Sequence, residues 1–271
     1  MVIISSVIIL GVLGMLFGLV LSFAAKKFSV KLDTRLEKIY GLLSQANCGA
    51  CGFSGCLVFA ESLLEGKSHP QRCPVTEQSV LEKIANILGV SLESKTKRIA
   101  VLHCAGSKIN AKDKFEYKGI EDCISANLLL GGQKLCIYGC IGLGTCVKIC
   151  PFGAIKIGED NLPIIDEEKC TACGKCVETC PKGLFSIIEE DKLYVVACKS
   201  KDTGKDVLKS CKVGCIACKK CENVCPLGAI KVKDNLAIID YNLCNNCGAC
   251  FEVCPQKIIL KRENKIWLKK S

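Results

Sequence analysis

The sequence predicts an α+β chain made of one N-terminal transmembrane helix, a small, mostly helical cysteine-rich domain and two tandem α+β modules. Three observations carry this reading. Val2 to Ala25 contains no charged residue, the 24 cysteines fall in tight runs, and the stretch from Gly139 to Cys180 reappears from Gly214 to Cys254. A chain of 271 residues has room for two or three small domains. The expected divisions are 1–27 for the anchor, 32–95 for the cysteine domain, 96–190 for the first module with an N-terminal extension, and 191–271 for the second.

The uncharged run from Val2 to Ala25 is long enough to cross a bilayer core as one helix, and Lys26 and Lys27 follow it at once. A cleaved signal peptide would carry its positive residues before a shorter apolar core, whereas here they come after it. The positive-inside rule therefore places the chain as a single-pass protein of the cell membrane, with its bulk on the cytoplasmic side. Gly14, Gly18 and Ser22 recur every four residues, a small-residue face of the kind that lets membrane helices approach closely.

Cysteine in repeated runs, in a reducing compartment, reads as metal ligation rather than as a disulfide scaffold. The formal net charge of +10 counts every cysteine as neutral. A [4Fe-4S] centre held by four thiolates carries about −2 when oxidised, because coordination deprotonates each thiol. Five or six such centres bring the holoprotein near neutrality, so the lysine excess implies no nucleic-acid partner. No stacking-aromatic or groove-reading motif accompanies the charge.

Behind the anchor, an amphipathic stretch from Leu32 to Leu43 leads to Cys48, Cys51, Cys56 and Cys73, spaced C-x2-C-x4-C-x16-C. Glycines between the first three allow a tight fold that aims amides at cluster sulfurs. Leu57 to Glu65 reads as a helix that returns Cys73 to the fourth coordination position. Zinc also takes four cysteines, but the rest of the chain favours [4Fe-4S]. His69 reads as a solvated loop residue, because four thiols already complete the site.

The strongest motif is Cys215-x2-Cys218-x2-Cys221-x3-Cys225-Pro226, followed by Cys244-x2-Cys247-x2-Cys250-x3-Cys254-Pro255. This is the bacterial two-cluster ferredoxin pattern, in which the fourth cysteine of each run serves the other cluster. Cys215, Cys218, Cys221 and Cys254 should therefore share one centre, and Cys244, Cys247, Cys250 and Cys225 the other. The same unit occurs upstream, where Pro151 matches Pro226 and Cys170, Cys173, Cys176 and Cys180 match Cys244, Cys247, Cys250 and Cys254. This is a duplication. In each copy, short helices are expected after the Cys-Pro pairs, with apolar hairpin strands such as Ile164-Ile165.

The first copy departs from the pattern at Leu143, which stands where a second ligand belongs. Cys150, Cys170, Cys173 and Cys176 form its complete quartet, while Cys140, Cys146 and Cys180 lack a partner. Cys136, just before Cys140, is the expected replacement; a three-iron cluster is the alternative. Cys104, Cys123, Cys198 and Cys211 then remain, the number one more centre needs. Five [4Fe-4S] clusters are expected, and a sixth on those four residues. The repeat leaves another solution open. Cys211 precedes Cys215 as Cys136 precedes Cys140, and Cys123 and Cys198 stand at one and the same spacing ahead of Cys136 and Cys211.

No haem-attachment motif, dinucleotide fingerprint or nucleophile–base constellation is present. Gly142-Leu143-Gly144 lies inside a cysteine run, and His103 sits in an apolar, strand-like stretch from Ile99 to Cys104. With no catalytic residue and no flavin or nicotinamide site, the chain is expected to move single electrons between partners that do the two-electron chemistry.

The anchor, the C-x2-C-x4-C-x16-C domain and the ferredoxin modules together resemble the iron–sulfur B subunit of the Rnf electron-transport complex. The segment from Met1 to Val75 and the run Gly139-Cys-Ile-Gly-Leu-Gly-Thr-Cys146 carry the resemblance most specifically. It implies a subunit of a redox-driven translocase that couples electron transfer between reduced ferredoxin and NAD to Na+ or H+ movement. The implied partners are soluble ferredoxin and membrane subunits with iron–sulfur, flavin and NAD sites. A polyferredoxin hub of a hydrogenase or quinone-reducing complex shares the repeats but is not expected to carry the Cys48-to-Cys73 domain. A structural-zinc or redox-sensing protein is the reading without electron transfer.

Overall fold

The computed structural model describes residues 2–27, 33–93 and 96–262. Helix α1 (Val2–Lys27) is the one helix among them long and apolar enough to cross a membrane. Its apolar side chains from Val7 to Phe23 are exposed. Leu32, the start of the expected amphipathic stretch, lies outside the described residues.

Three helices build the cysteine domain: α2 (Thr34–Leu42), α3 (Cys56–Leu64) and α4 (Gln78–Leu88). The Asp33 carboxylate caps α2 by accepting the Arg35 N–H at 2.9 Å, and α4 ends at Gly89 in the left-handed region, φ 70°. Apolar residues at helical spacing, Leu36 and Ile39 on α2 and Phe59 and Leu63 on α3, close a core with Ile84 of α4.

Each ferredoxin-like module has an inner hairpin and an outer strand pair. In the first, β1 (Arg98–Leu102), β2 (Ile155–Ile157), β3 (Pro163–Ile165) and β4 (Phe185–Glu189) pair as β2–β3 inside and β1–β4 outside, all antiparallel. In the second, β5 (Tyr194–Val196), β6 (Ile230–Lys233), β7 (Leu236–Ile239) and β8 (Ile259–Lys261) repeat the arrangement as β6–β7 and β5–β8. The registers correspond: Ile155 faces Ile165 and Ile230 faces Ile239. The stretch ahead of the first cysteine run thus supplies the outer strand β1. The modules touch, since Val195 and Leu260 of the second pack into the core around Ile99, Leu162 and Leu184 of the first.

The short helices run through the third cysteine of each run, at Thr145–Lys148, Lys175–Thr179, Lys220–Val224 and Ala249–Glu252, and stop before the Cys-Pro pair. They do not follow it as expected. Proline disfavours helical geometry in the residue before it, and Cys180 and Cys225 are extended, with ψ 112° and 113°. Each helix begins from a left-handed residue, Gly144, Gly174, Lys219 or Gly248, with φ between 59° and 82°; glycine is the usual solution to that conformation.

Candidate iron–sulfur sites

In the cysteine domain, Cys51, Cys56 and Cys73 are buried and Cys48 half-buried. The Asn47 side chain accepts the Cys56 N–H at 2.9 Å, fixing the start of α3. Arg72 donates to the Cys51 carbonyl at 2.8 Å and lies over the Phe53 ring, 5.3 Å from its centroid. This clamps the segment carrying Cys73 onto the glycine-rich loop. Burial pushes the Cys51 thiol above its ordinary range, and the neighbouring Cys73 and Cys48 push it the same way. His69 is exposed, and its Nε2 lies 3.2 Å from the Ser91 carbonyl.

In the second module, Cys215, Cys218, Cys221 and Cys254 line one cavity. Cys225, Cys244, Cys247 and Cys250 line another. The grouping is the crossed one that the motif predicts. The Ala229 N–H donates to Cys225 Sγ at 3.3 Å, a bond of the kind that tunes iron–sulfur potentials.

In the first module, burial raises the Cys176 thiol to about 12, and the neighbouring Cys170, Cys173, Cys146 and Cys150 push it the same way. The Ala100 N–H donates to Cys170 Sγ at 3.4 Å. The other quartet differs from the sequence expectation. Cys123, not Cys136, joins Cys140, Cys146 and Cys180 around one cavity. Cys123 opens helix α5 (Cys123–Leu128). Its N–H donates to Thr145 Oγ1 at 2.7 Å, and that hydroxyl donates to Asp122 Oδ1 at 2.8 Å. The Asp122 carboxylate accepts the Ser125 N–H at 2.8 Å. The loop that carries Cys123 is thereby fastened to the cysteine run beside Leu143.

Cys136 turns instead toward Cys104, Cys198 and Cys211, and these four thiols line one cavity. Burial raises the Cys136 thiol, and Cys104 and Cys211 add to the rise. Burial likewise takes Cys146 and Cys198 to about 12. Without a metal these thiols hold their protons at neutral pH, and ligation displaces them. His103, beside Cys104, is packed: its ring nitrogens lie 2.8 Å from the Val196 carbonyl and 2.7 Å from Ser186 Oγ. Burial lowers its pKa.

The donor sets fit cuboidal clusters. Among the described residues no group of three or more His, Cys, Asp or Glu is placed to hold a single metal ion. Four of the thiol quartets instead each surround one small cavity. A cuboid takes one thiolate at each of its four irons.

Fold and thiol placement define an iron–sulfur protein of the two-cluster ferredoxin type, carrying an additional four-cysteine domain. A family model described as a 4Fe-4S dicluster domain matches residues 139–185 and again 214–259, a second of the same description matches 169–229, and one described as a putative Fe-S cluster matches 43–75. The chain is 41% identical to the B subunit of the ion-translocating oxidoreductase complex of Methanosarcina acetivorans, over 95% of this chain and 98% of that one. It is 43% identical to the B subunit of the proton-translocating ferredoxin:NAD(+) oxidoreductase complex of Clostridium ljungdahlii, over 92% and 88% of the two chains. It is also 43% identical to the B subunit of the Na(+)-translocating ferredoxin:NAD(+) oxidoreductase complex of Acetobacterium woodii, over 93% and 75%. The chain belongs to the family of B subunits of the Rnf-type ion-translocating oxidoreductase complexes.

Proposed function

We propose that this chain is a membrane-anchored relay. It takes single electrons from reduced soluble ferredoxin at its C-terminal module and delivers them beside helix α1 to membrane subunits carrying further iron–sulfur and flavin centres. Redox chemistry with NAD and the movement of Na+ or H+ then belong to those partners. One observation carries the reading: Cys73 and Pro74 line one cleft with Arg98, Cys170 and Thr171, so the first ferredoxin module abuts the quartet that follows the anchor. At the opposite end, Cys218 and Cys247 are exposed, which brings the second module's sites nearest to an incoming donor.

The ligand sets we assign are Cys48, Cys51, Cys56 and Cys73; Cys150, Cys170, Cys173 and Cys176; Cys123, Cys140, Cys146 and Cys180; and the two crossed sets of the second module. A [4Fe-4S] cluster supplies one-electron exchange at low potential. The polypeptide supplies thiolates, amide donors and short separations. The chain after Lys27 lies on the cytoplasmic side, where soluble ferredoxin is found.

The test is the anaerobically purified full chain in detergent. Equal amounts of iron and acid-labile sulfide are expected, with broad visible absorbance that bleaches when reduced ferredoxin is added. Zinc without sulfide, or clusters that ferredoxin leaves oxidised, would overturn the reading.

A further inference from the structure

We propose that Cys104, Cys136, Cys198 and Cys211 hold a further [4Fe-4S] cluster at the seam between the two modules, and that electrons cross from module to module through it. This rests on the iron–sulfur relay described above. It concerns four thiols that all lie outside the two spans of the repeated dicluster match.

The four thiols line one cavity, as the quartets of the doubled-motif sites each do. Its ligands come two from each module, and they form two equivalent pairs. Cys104 stands two residues beyond the end of β1, and Cys198 two residues beyond the end of β5. Each sulfur accepts an amide from a structurally equivalent cysteine, Cys140 N–H to Cys104 Sγ and Cys215 N–H to Cys198 Sγ, both at 3.4 Å. Cys136 and Cys211 are the second pair, each one helical turn's length of sequence ahead of those donors.

A backbone bond from Ala105 N–H to the Ala197 carbonyl, 2.9 Å, joins the two strand ends directly. The two copies differ in the chain between their seam thiols. The stretch from Cys104 to Cys136 is more than twice as long as the stretch from Cys198 to Cys211. The longer stretch contains Cys123, which is therefore no counterpart of Cys198 and is free to stand in at Leu143.

Charge supports the same assignment. Lys134 is 5% exposed, its ammonium donates to the Gly106 carbonyl, and the thiols of Cys140 and Cys211 are its electrostatic neighbours. A buried ammonium is stabilised by a close negative charge, which a cluster on four thiolates provides. A β-carbon on Gly106 would lie 3.5 and 3.6 Å from the sulfurs of Cys104 and Cys211, so the backbone held by Lys134 runs against the rim of the site.

The position completes a route. Cys140 belongs to the flanking quartet of the first module and Cys215 to that of the second, and each is hydrogen-bonded to a seam sulfur. Cys146 neighbours Cys176 within the first module, and Cys173 neighbours Cys48. At each step one electron leaves a reduced site, which is oxidised, and reduces the adjacent one.

The experiment compares iron content and paramagnetic resonance of full-length variants purified anaerobically. Cys136→Ser, Cys198→Ser and the double variant should each lose the same single cluster, about four irons of about 24. Cys136→Ser combined with Cys146→Ser should lose two clusters, about eight irons. The opposite pattern, with Cys136 and Cys146 failing as one site and Cys198 without effect, would overturn the assignment. If a variant loses every signal and so fails to fold, native mass measurement of the unaltered chain decides: six cuboids support the seam site and five reject it. A chain with no cuboids at all defeats the relay itself, whereas five clusters reducible by ferredoxin defeat only the seam.

Discussion

Arg262 and Glu167 form a two-pronged ion pair, at 2.6 and 2.9 Å, with only 5% and 7% of their side chains exposed. The pair ties the end of β8 in the second module to the residues after β3 in the first. The guanidinium also donates to the carbonyls of Glu190 and Lys192. Removing one partner of a buried pair strands the other charge, at a cost of about 3–5 kcal/mol. We predict that Arg262→Met accelerates thermal bleaching of the cluster absorbance, read as a rate because cluster loss is irreversible. Adding Glu167→Leu should recover much of the loss. A single variant that bleaches no faster would show that the pair does not hold the modules together.

Cys123 stands with Cys140, Cys146 and Cys180, the set that Leu143 leaves one thiol short, and is the ligand we propose there. Cys123→Ser is expected to cost one cluster or leave a three-iron form, visible by paramagnetic resonance. Leu143→Cys in that background restores the ordinary ferredoxin spacing and should return the four-iron signal. Failure of Leu143→Cys to rescue Cys123→Ser, alongside rescue of Cys136→Ser, would reverse the two assignments.

The cross-ligation we propose for the second module makes Cys225 a partner of Cys244, with which it lines one cavity, although the whole β6–β7 hairpin lies between them in the chain. Cys225→Ser together with Cys244→Ser should therefore extinguish one cluster signal, and Cys225→Ser with Cys215→Ser two. Spectra in which Cys225 and Cys215 fail as one site would contradict the crossed arrangement.

Lys134 places a buried positive charge next to the seam thiols. Positive charge favours the reduced, more negative state of a cluster, so Lys134→Met is expected to lower the midpoint potential of the seam signal while leaving the doubled-motif signals in place. A redox titration followed by paramagnetic resonance measures this. An unmoved potential would mean that the lysine serves only the Gly106 carbonyl.

Lys26 and Lys27 immediately after the apolar run predict that everything beyond them is cytoplasmic. Protease added to intact cells should leave the ferredoxin modules uncut, and their digestion from outside would invert the topology.

The doubled motif could be read from sequence because its ligand spacing is local: C-x2-C-x2-C wraps a short length of chain around one cuboid, and the crossed fourth cysteine comes with the pattern. The seam was harder to see. Cys123 and Cys198 stand equally far ahead of Cys136 and Cys211, and that equality suggests a correspondence that strand geometry does not support. The ends of β1 and β5 make Cys104 and Cys198 the true pair, and nothing local in the sequence marks the extra residues as an insertion. The short helices were displaced for a nearer reason, the restriction that each proline puts on the cysteine before it. Arg262 and Glu167 lie far apart in the chain, and both are ordinary surface types with no pattern to announce burial.

Because two thiols from each module meet on one cavity, the seam site does not exist until the chain has passed Cys211 of the second module. Cys104 leaves the ribosome long before Cys198 and Cys211, so the first module's own quartets can be filled while the seam waits. A chain interrupted midway keeps Cys104 and Cys136 as bare thiols, open to oxidation, and its electron path has no entry. Such a copy lacks the C-terminal module as well as the seam site, so it takes no electrons from the donor.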